Sequence, residues 1–156
     1  MLFFFAFSLF AQERVLNTGL TSDEQYSFIG MGLEELIDRF GPPRAVFAAR
    51  GNEVWQDDVV FQYTGVDFYI YRDRIWQVRF TTTHSISNGD RKADVLRILE
   101  NIAAVNAGSE NRASVLEDRW DHVLLPITGK DWPLTLRVNF NTIGQVTAIF
   151  LYRSDF

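Results

Sequence analysis

The chain of 156 residues contains no cysteine. That removes disulfides, thiolate metal ligands, a thiol nucleophile and a lipid-bearing cysteine from these residues, and leaves packing alone to hold the fold together. Lysine is nearly absent, at Lys92 and Lys130, the arginines are scattered, and the formal net charge is −5 with a pI near 5.0. A protein that neutralises phosphates needs a clustered excess of Lys and Arg, so no nucleic-acid partner is expected. Histidine occurs only at His84 and His122, which confines near-neutral proton carriers to two positions. Gly30-Met31-Gly32 lacks the third glycine and the preceding parallel strand of a phosphate-binding loop. No cofactor and no metal are expected.

What the chain does have is aromatic surface. Aromatics make up 15% of it, with 14 Phe, 5 Tyr and 4 Trp, a composition that favours an aromatic-rich sheet over a coiled coil or a disordered chain. The length suits one ordinary domain.

The amino-terminal run MLFFFAFSLFA is too short to span a bilayer as a helix and has the apolar character of a secretory signal. Residues 1–11 are therefore read as a signal segment cleaved after Ala11, which gives a periplasmic or secreted mature chain with no integral membrane span. No basic residue precedes the run, which leaves open a natural start further upstream. The alternative is an amino-terminal strand or helix packed on the domain. Residues 12–29, with Asn17, Gly19, Thr21 and Ser22 as breakers, read as a flexible lead-in.

Regular structure is expected from Gly30. Leu33, Leu36, Ile37 and Phe40 recur at helical spacing, Glu34 and Glu35 suit the positive end of the helix dipole, and Gly41-Pro42-Pro43 ends the helix. Four strands follow at Ala45 to Ala49, Val59 to Tyr63, Val66 to Tyr71 and Ile75 to Phe80. Reversals fall at Gly51-Asn52, Thr64-Gly65 and Arg72-Asp73. Alternation places Phe68, Ile70, Trp76, Val78 and Phe80 toward the helix. After a polar connector, Thr81 to Gly89, Asp90 can cap a second helix carrying Val95, Ile98, Leu99 and Ile102. Strands at Ser114 to Glu117 and Val123 to Ile127 lead to a hairpin: Leu134 to Phe140, a turn at Asn141 to Gly144, and Gln145 to Arg153. Val146, Ala148 and Phe150 alternate with Thr147, Ile149 and Leu151, so this last strand is apolar on both sides and belongs inside the sheet.

Helix then four strands thus occurs twice. The expected fold is α+β: one domain over 30–156, made of two tandem helix-plus-four-strand modules (30–80 and 89–156) sharing one antiparallel sheet, with the helices packed on one face.

Gly30 through Pro43, with Leu36, Phe40 and Gly41-Pro42-Pro43, is similar to the opening of BamE-like (SmpA/OmlA) outer-membrane assembly modules. Val138-x-Phe140-Asn141-x-x-Gly144-x-Val146-x-x-Ile149 resembles the strand-turn-strand that closes them. Two such modules on one continuous sheet resemble the β-lactamase inhibitory protein type of tandem repeat. The resemblance implies a non-enzymatic protein that binds its partner across the concave face of the sheet. The general design is also similar to uncharacterised exported proteins of spirochaetes, a likeness that implies no function.

The open sheet face supplies the candidate partner-binding residues: Tyr69, Tyr71, Gln77 and Arg79 from the first half, Thr135, Arg137 and Asn139 from the second. Tyr and Arg combine large contact area with a polar handle and are enriched at interfaces, although an antiparallel sheet ordinarily leaves one face polar and wet. Trp55, Trp120 and Trp132 stand near strand ends or loops, either as lids on the core or as exposed anchors. No residue is assigned a catalytic role. Asp57-Asp58 on a strand point to opposite faces and do not converge. The expected function is a non-enzymatic exported binding or envelope-scaffold protein whose partner is a protein of the cell envelope. A small hydrophobic-ligand or lipid carrier is the alternative, and a hydrolase using His84 or His122 beside a carboxylate is the third reading.

Overall fold

A computed structural model describes residues 22–50, 58–106, 117–127 and 131–155. Along them run α1 (Ser22–Tyr26), α2 (Leu33–Phe40), β1 (Ala45–Ala49), β2 (Asp58–Tyr63), β3 (Val66–Tyr71), β4 (Arg74–Phe80), β5 (Thr82–Thr83), β6 (Ile86–Ser87), α3 (Lys92–Asn106), β7 (Glu117–Asp118), β8 (His122–Ile127), β9 (Leu134–Phe140) and β10 (Val146–Arg153). Eight strands form one antiparallel sheet in the order β1-β2-β3-β4-β10-β9-β8-β7, and β5 with β6 makes a separate ribbon. The class is α+β, as expected. The signal segment, Gly51-Asn52 and most of the strand expected from Ser114 lie outside the described residues.

The two longer helices, α2 and α3, lie on one face of the sheet because each carries one apolar stripe. Leu36 of α2 and Val95, Leu99 and Ala103 of α3 are buried with Phe68, Val78, Leu125, Leu136, Val138 and Leu151 in one core. Ile37, expected in the stripe, is 38% exposed at its edge. Gly41 ends α2 at φ +77, its N–H bonding to the Ile37 carbonyl at 2.7 Å. Under α2 lies an aromatic cluster. The Phe68 ring meets Phe28 at 5.2 Å, Tyr63 at 5.6 Å and Phe40 at 6.4 Å between centroids.

Matching hydrogen bonds recur in the two halves of the chain. Ahead of α2, Gly30 N–H bonds to Ile75 O, Ile75 N–H to Met31 O, and Leu33 N–H to Asp73 O. Ahead of α3, Gly89 N–H bonds to Val146 O, Val146 N–H to Asp90 O, and Lys92 N–H to Gly144 O. In each case the residue just before the helix bridges to the residue that opens or precedes the last strand of that half, Gly32 to Arg74 and Arg91 to Gln145. Gly30 and Gly89 share a positive φ, +88 and +92. The ladders shift register at matching places too, between Tyr69 and Ile70 opposite β4 and between Val146 and Ala148 in β10. The last strands of the halves, β4 and β10, pair with each other at the middle of the sheet.

Those two bulges overturn two expectations. Gln77 pairs with Tyr69 but Ile75 pairs with Ile70, so Trp76 is the extra residue and leaves the helix side. It is partly exposed, and its indole N–H donates to the Asp58 carboxylate at 2.8 Å. In β10 the extra residue is Thr147. Val146 therefore joins Ile149 and Leu151 in the core, while Ala148, Phe150 and Tyr152 face away from the helices. Strict period-two alternation fails wherever one residue is inserted into the ladder.

The segment expected to be a flexible lead-in up to residue 29 is, from Ser22 onward, a helical turn with a packed exit. Gln25, Tyr26, Phe28, Ile29 and Met31 are all buried. The apolar Phe28 and Ile29 gain more from burial than the polar residues before them lose to ordering. The connector from Thr81 forms the β5–β6 hairpin, with His84 and Ser85 both at positive φ, as a two-residue turn of the primed type needs. Asp90 does not cap α3; its carboxylate accepts from the Ser87 N–H at 2.7 Å.

The segments leading into the two helices meet at His84. Its ring stacks on Tyr26 at 5.5 Å, Nε2 lies 2.8 Å from the Tyr26 hydroxyl and Nδ1 2.7 Å from Thr83 Oγ1. The Thr83 hydroxyl in turn donates to Gln25 Oε1. That commits its proton, so Nδ1 is the donor toward Thr83 and bare Nε2 accepts from tyrosine. Burial lowers the His84 pKa below the ordinary 6.5. A histidine depressed in the folded state binds fewer protons there than when unfolded, so the associated stability is full above about 6.5 and is lost as pH falls from that value through the folded pKa. Thermal melts between pH 7 and pH 5 should show this loss, and His84→Asn, which tolerates a left-handed backbone, should flatten the difference. Parallel profiles for the two proteins would remove His84 as the source.

Candidate functional site on the open sheet face

The face turned away from the helices can be read across the strands from the register. One row runs Gln62, Asp67, Arg79, Phe150, Arg137, Leu124 and Glu117; the next runs Phe47, Val60, Tyr69, Gln77, Tyr152, Thr135 and Pro126. Neighbours in a row are about 5 Å apart, close enough for their side chains to interact. Asp67 and Arg79 pair at 3.6 Å. Tyr69 packs edge-on to Phe150 at 6.5 Å, and burial raises the Tyr69 pKa above the usual tyrosine value, with Arg79 pulling the other way. Val60, opposite Phe47 and Tyr69, is fully buried even on this face.

Near the middle the surface dips into an open depression of about 370 Å³ lined by Trp76, Gln77, Arg137, Asn139, Phe150 and Tyr152. Arg137 Nε donates to Asn139 Oδ1 at 2.7 Å, which fixes the plane of the guanidinium. The six come from three adjacent strands, β4, β10 and β9.

Of the residues expected on this face, Gln77, Arg137 and Asn139 converge on the depression, and Tyr69 and Arg79 flank it through Phe150. Tyr71 lies past the bulge at the end of β3, where the Arg72 guanidinium sits 5.2 Å from its ring. Thr135 is on the face but buried. Trp76, Phe150 and Tyr152 were not anticipated. Trp76 was assigned to the core because the bulge is invisible to alternation, whereas Phe150 and Tyr152 carried a readable signal, aromatic residues two apart on a central strand.

The tryptophans separate. Trp132, 40% exposed, lies over Gly30 and under the Arg153 guanidinium at 3.9 Å, held from both sides. Trp120 is 71% exposed between β7 and β8. Trp55 lies outside the described residues. His122 is not simply solvated: its ring is 3.0 Å from Asp121 and 3.8 Å from Glu117, with a side chain 13% exposed. A second open depression, of about 450 Å³, lies where Arg44, Thr64, Gly65 and Thr81 meet. Among the described residues no group of three or more His, Cys, Asp or Glu side chains could hold a metal ion, and no helix is long and apolar enough to cross a membrane.

No family model matches the chain. No curated protein matches it. A solved structure of an extracellular protein containing a SCP domain, from Bacillus anthracis str. Ames, is similar at 12% sequence identity and a TM-score of 0.47, over 83% of this chain and 45% of that one. The chain therefore spans less than half the length of that neighbour.

Proposed function

We propose that this is a non-enzymatic, exported binding or scaffold protein of the cell envelope, built by doubling a helix-plus-four-strand unit of the BamE-like kind, and that it engages a protein partner across the open face of its sheet. The single observation that carries the reading is the depression between β4, β10 and β9, where aromatic walls, two amides and a fixed guanidinium meet at the centre of a broad pleated surface. Tyr, Trp and Arg at the middle of the face are the residue types that anchor interfaces. The doubling is supported by the matched hydrogen bonds ahead of α2 and α3 and by the matched bulges. The space between helices and sheet, where a carrier would hold a ligand, is filled by Phe28, Leu36, Phe68, Phe80 and Leu99, all 2% exposed or less. Export rests on the apolar residues 1–11.

A photo-cross-linking residue placed at Gln77, on the open face, should capture a discrete envelope protein, and one placed at Glu100, on the exposed side of α3, should not. Tyr152→Ala should leave the melting temperature nearly unchanged and reduce capture by about tenfold, the loss typical of one interface anchor. Equal capture from both positions, or none from Gln77, would remove the face from consideration.

A further inference from the structure

We infer that the depression receives an aspartate or glutamate side chain, carried on an apolar stretch of the partner protein's surface. This rests on the reading of the open face as the partner-binding surface and adds the chemistry that the partner must present. The two halves of the chain differ at the decisive position. In the first half the row places Asp67 opposite Arg79, and the pair closes at 3.6 Å. In the second half Arg137 of β9 stands opposite Phe150 of β10, and among the described residues no carboxylate pairs with it. Arg137 turns its Nε–H toward Asn139 Oδ1, at 2.7 Å. A guanidinium has five N–H donors in a rigid fork, so the four on the terminal nitrogens are held in a fixed plane at the mouth of the depression, the geometry that accepts a carboxylate edge-on.

The surroundings point the same way. Asn139 turns its oxygen to Arg137 and so leaves its amide nitrogen to donate. Gln77 and the Tyr152 hydroxyl border the same space, while Trp76 and Phe150 offer apolar flanks for the residues on either side of the acid. None of the six lining residues is acidic, in a chain with 20 acidic side chains against 15 basic ones. A polyanion is disfavoured, because Asp67 and Glu117 lie on the same row to either side and the chain as a whole is negative. A small free acid is disfavoured as well, because an open dip of about 370 Å³ leaves much of such a ligand in water. A single carboxylate on a folded surface meets both limits, since the surrounding contact excludes water from the pair.

The probes are two capped peptides, acetyl-Phe-Asp-Phe-amide and acetyl-Phe-Asn-Phe-amide, titrated into the isotope-labelled full chain by NMR at low salt. The aspartyl peptide should shift the Arg137 Nε–H and Trp76 indole signals saturably, and the asparaginyl peptide should bind about tenfold or more weakly, the difference of one charge-assisted contact. Arg137→Gln should abolish that discrimination, and Arg137→Lys, which keeps the charge but not the fork, should restore part of it; a thermal melt of each variant checks that it is folded. Equal shifts from the two peptides, or none at these signals, would overturn the carboxylate assignment. The cross-linking experiment at Gln77 separates the two levels. Capture that Tyr152→Ala weakens and that Arg137→Gln and excess aspartyl peptide leave untouched keeps the binding face and rejects the carboxylate. Capture independent of all of them rejects both.

Discussion

Replacing Phe68 with alanine should cost the fold about 3–5 kcal/mol, the range for removing a fully buried aromatic side chain. Phe68 is 0% exposed and stands at the centre of the cluster formed with Phe28, Phe40 and Tyr63. Three elements lean on that one ring. Phe28 comes from the packed exit of α1, Phe40 from the end of α2, and Tyr63 from the end of β2, where its hydroxyl also donates to the Gly41 carbonyl at 2.8 Å. The ring's removal leaves a cavity that rigid neighbours on a sheet and a capped helix fill poorly, so the cost belongs near the top of the range. Urea denaturation should show a lower midpoint with an unchanged slope. Phe68→Leu, which retains most of the volume, should recover more than half of the loss. A loss in unfolding free energy under about 1 kcal/mol would mean that the cluster is not packed as described.

Gly30→Ala should be the next most damaging single change, and its counterpart Gly89→Ala a milder one. Both glycines stand at positive φ, +88 and +92, in the same hydrogen-bonded position ahead of a helix, so both substitutions carry the backbone cost of about 1–3 kcal/mol. Their surroundings differ. A Cβ at Gly30 would lie 2.9 Å from Trp132 Nε1, with the indole held from the other side by Arg153, whereas a Cβ at Gly89 meets nothing within 4 Å. Trp132 therefore has to move in the first variant only. Adding Trp132→Ala should relieve Gly30→Ala by about 1 kcal/mol or more while adding its own full cost to Gly89→Ala, the non-additivity that marks direct contact. Equal losses in the two glycine variants would show that Trp132 does not rest on Gly30.

The strands were legible in the residues because alternation survives wherever one face is buried. Ala45–Ala49, Val66–Tyr71 and Leu134–Phe140 lie where the pattern put them, β2, β4 and β8 each begin one residue early, and β10 begins one residue late. The helices were legible for a similar reason, with Gly41 and the prolines ending α2. What escaped were features set by tertiary pairing. A bulge has no residue signature of its own, so Trp76 was assigned to the core, and Val146 was grouped with Ala148 and Phe150. Phe28 and Ile29 looked like the tail of a polar segment because their burial depends on Phe68 and β4, far along the chain. The β5–β6 hairpin escaped because its turn residues at positive φ are His84 and Ser85, without the Gly, Asn or Asp that mark a primed turn. At the site, Gln77, Arg137 and Asn139 could be placed on one face by counting, but their meeting with Trp76, Phe150 and Tyr152 depends on both bulges and on β4 pairing with β10.

That central pairing sets a timetable for synthesis. β4 can pair with β3 on one side as soon as both are made, but its other side has to wait for β10, much later in chain order. During that wait the emerging chain displays a raw strand border carrying Val78 and Phe80, the kind of template on which foreign strands add. Products that stop short of β10 should therefore clump rather than persist as soluble half-sheets, and the chain escapes that fate only when β10 closes the middle.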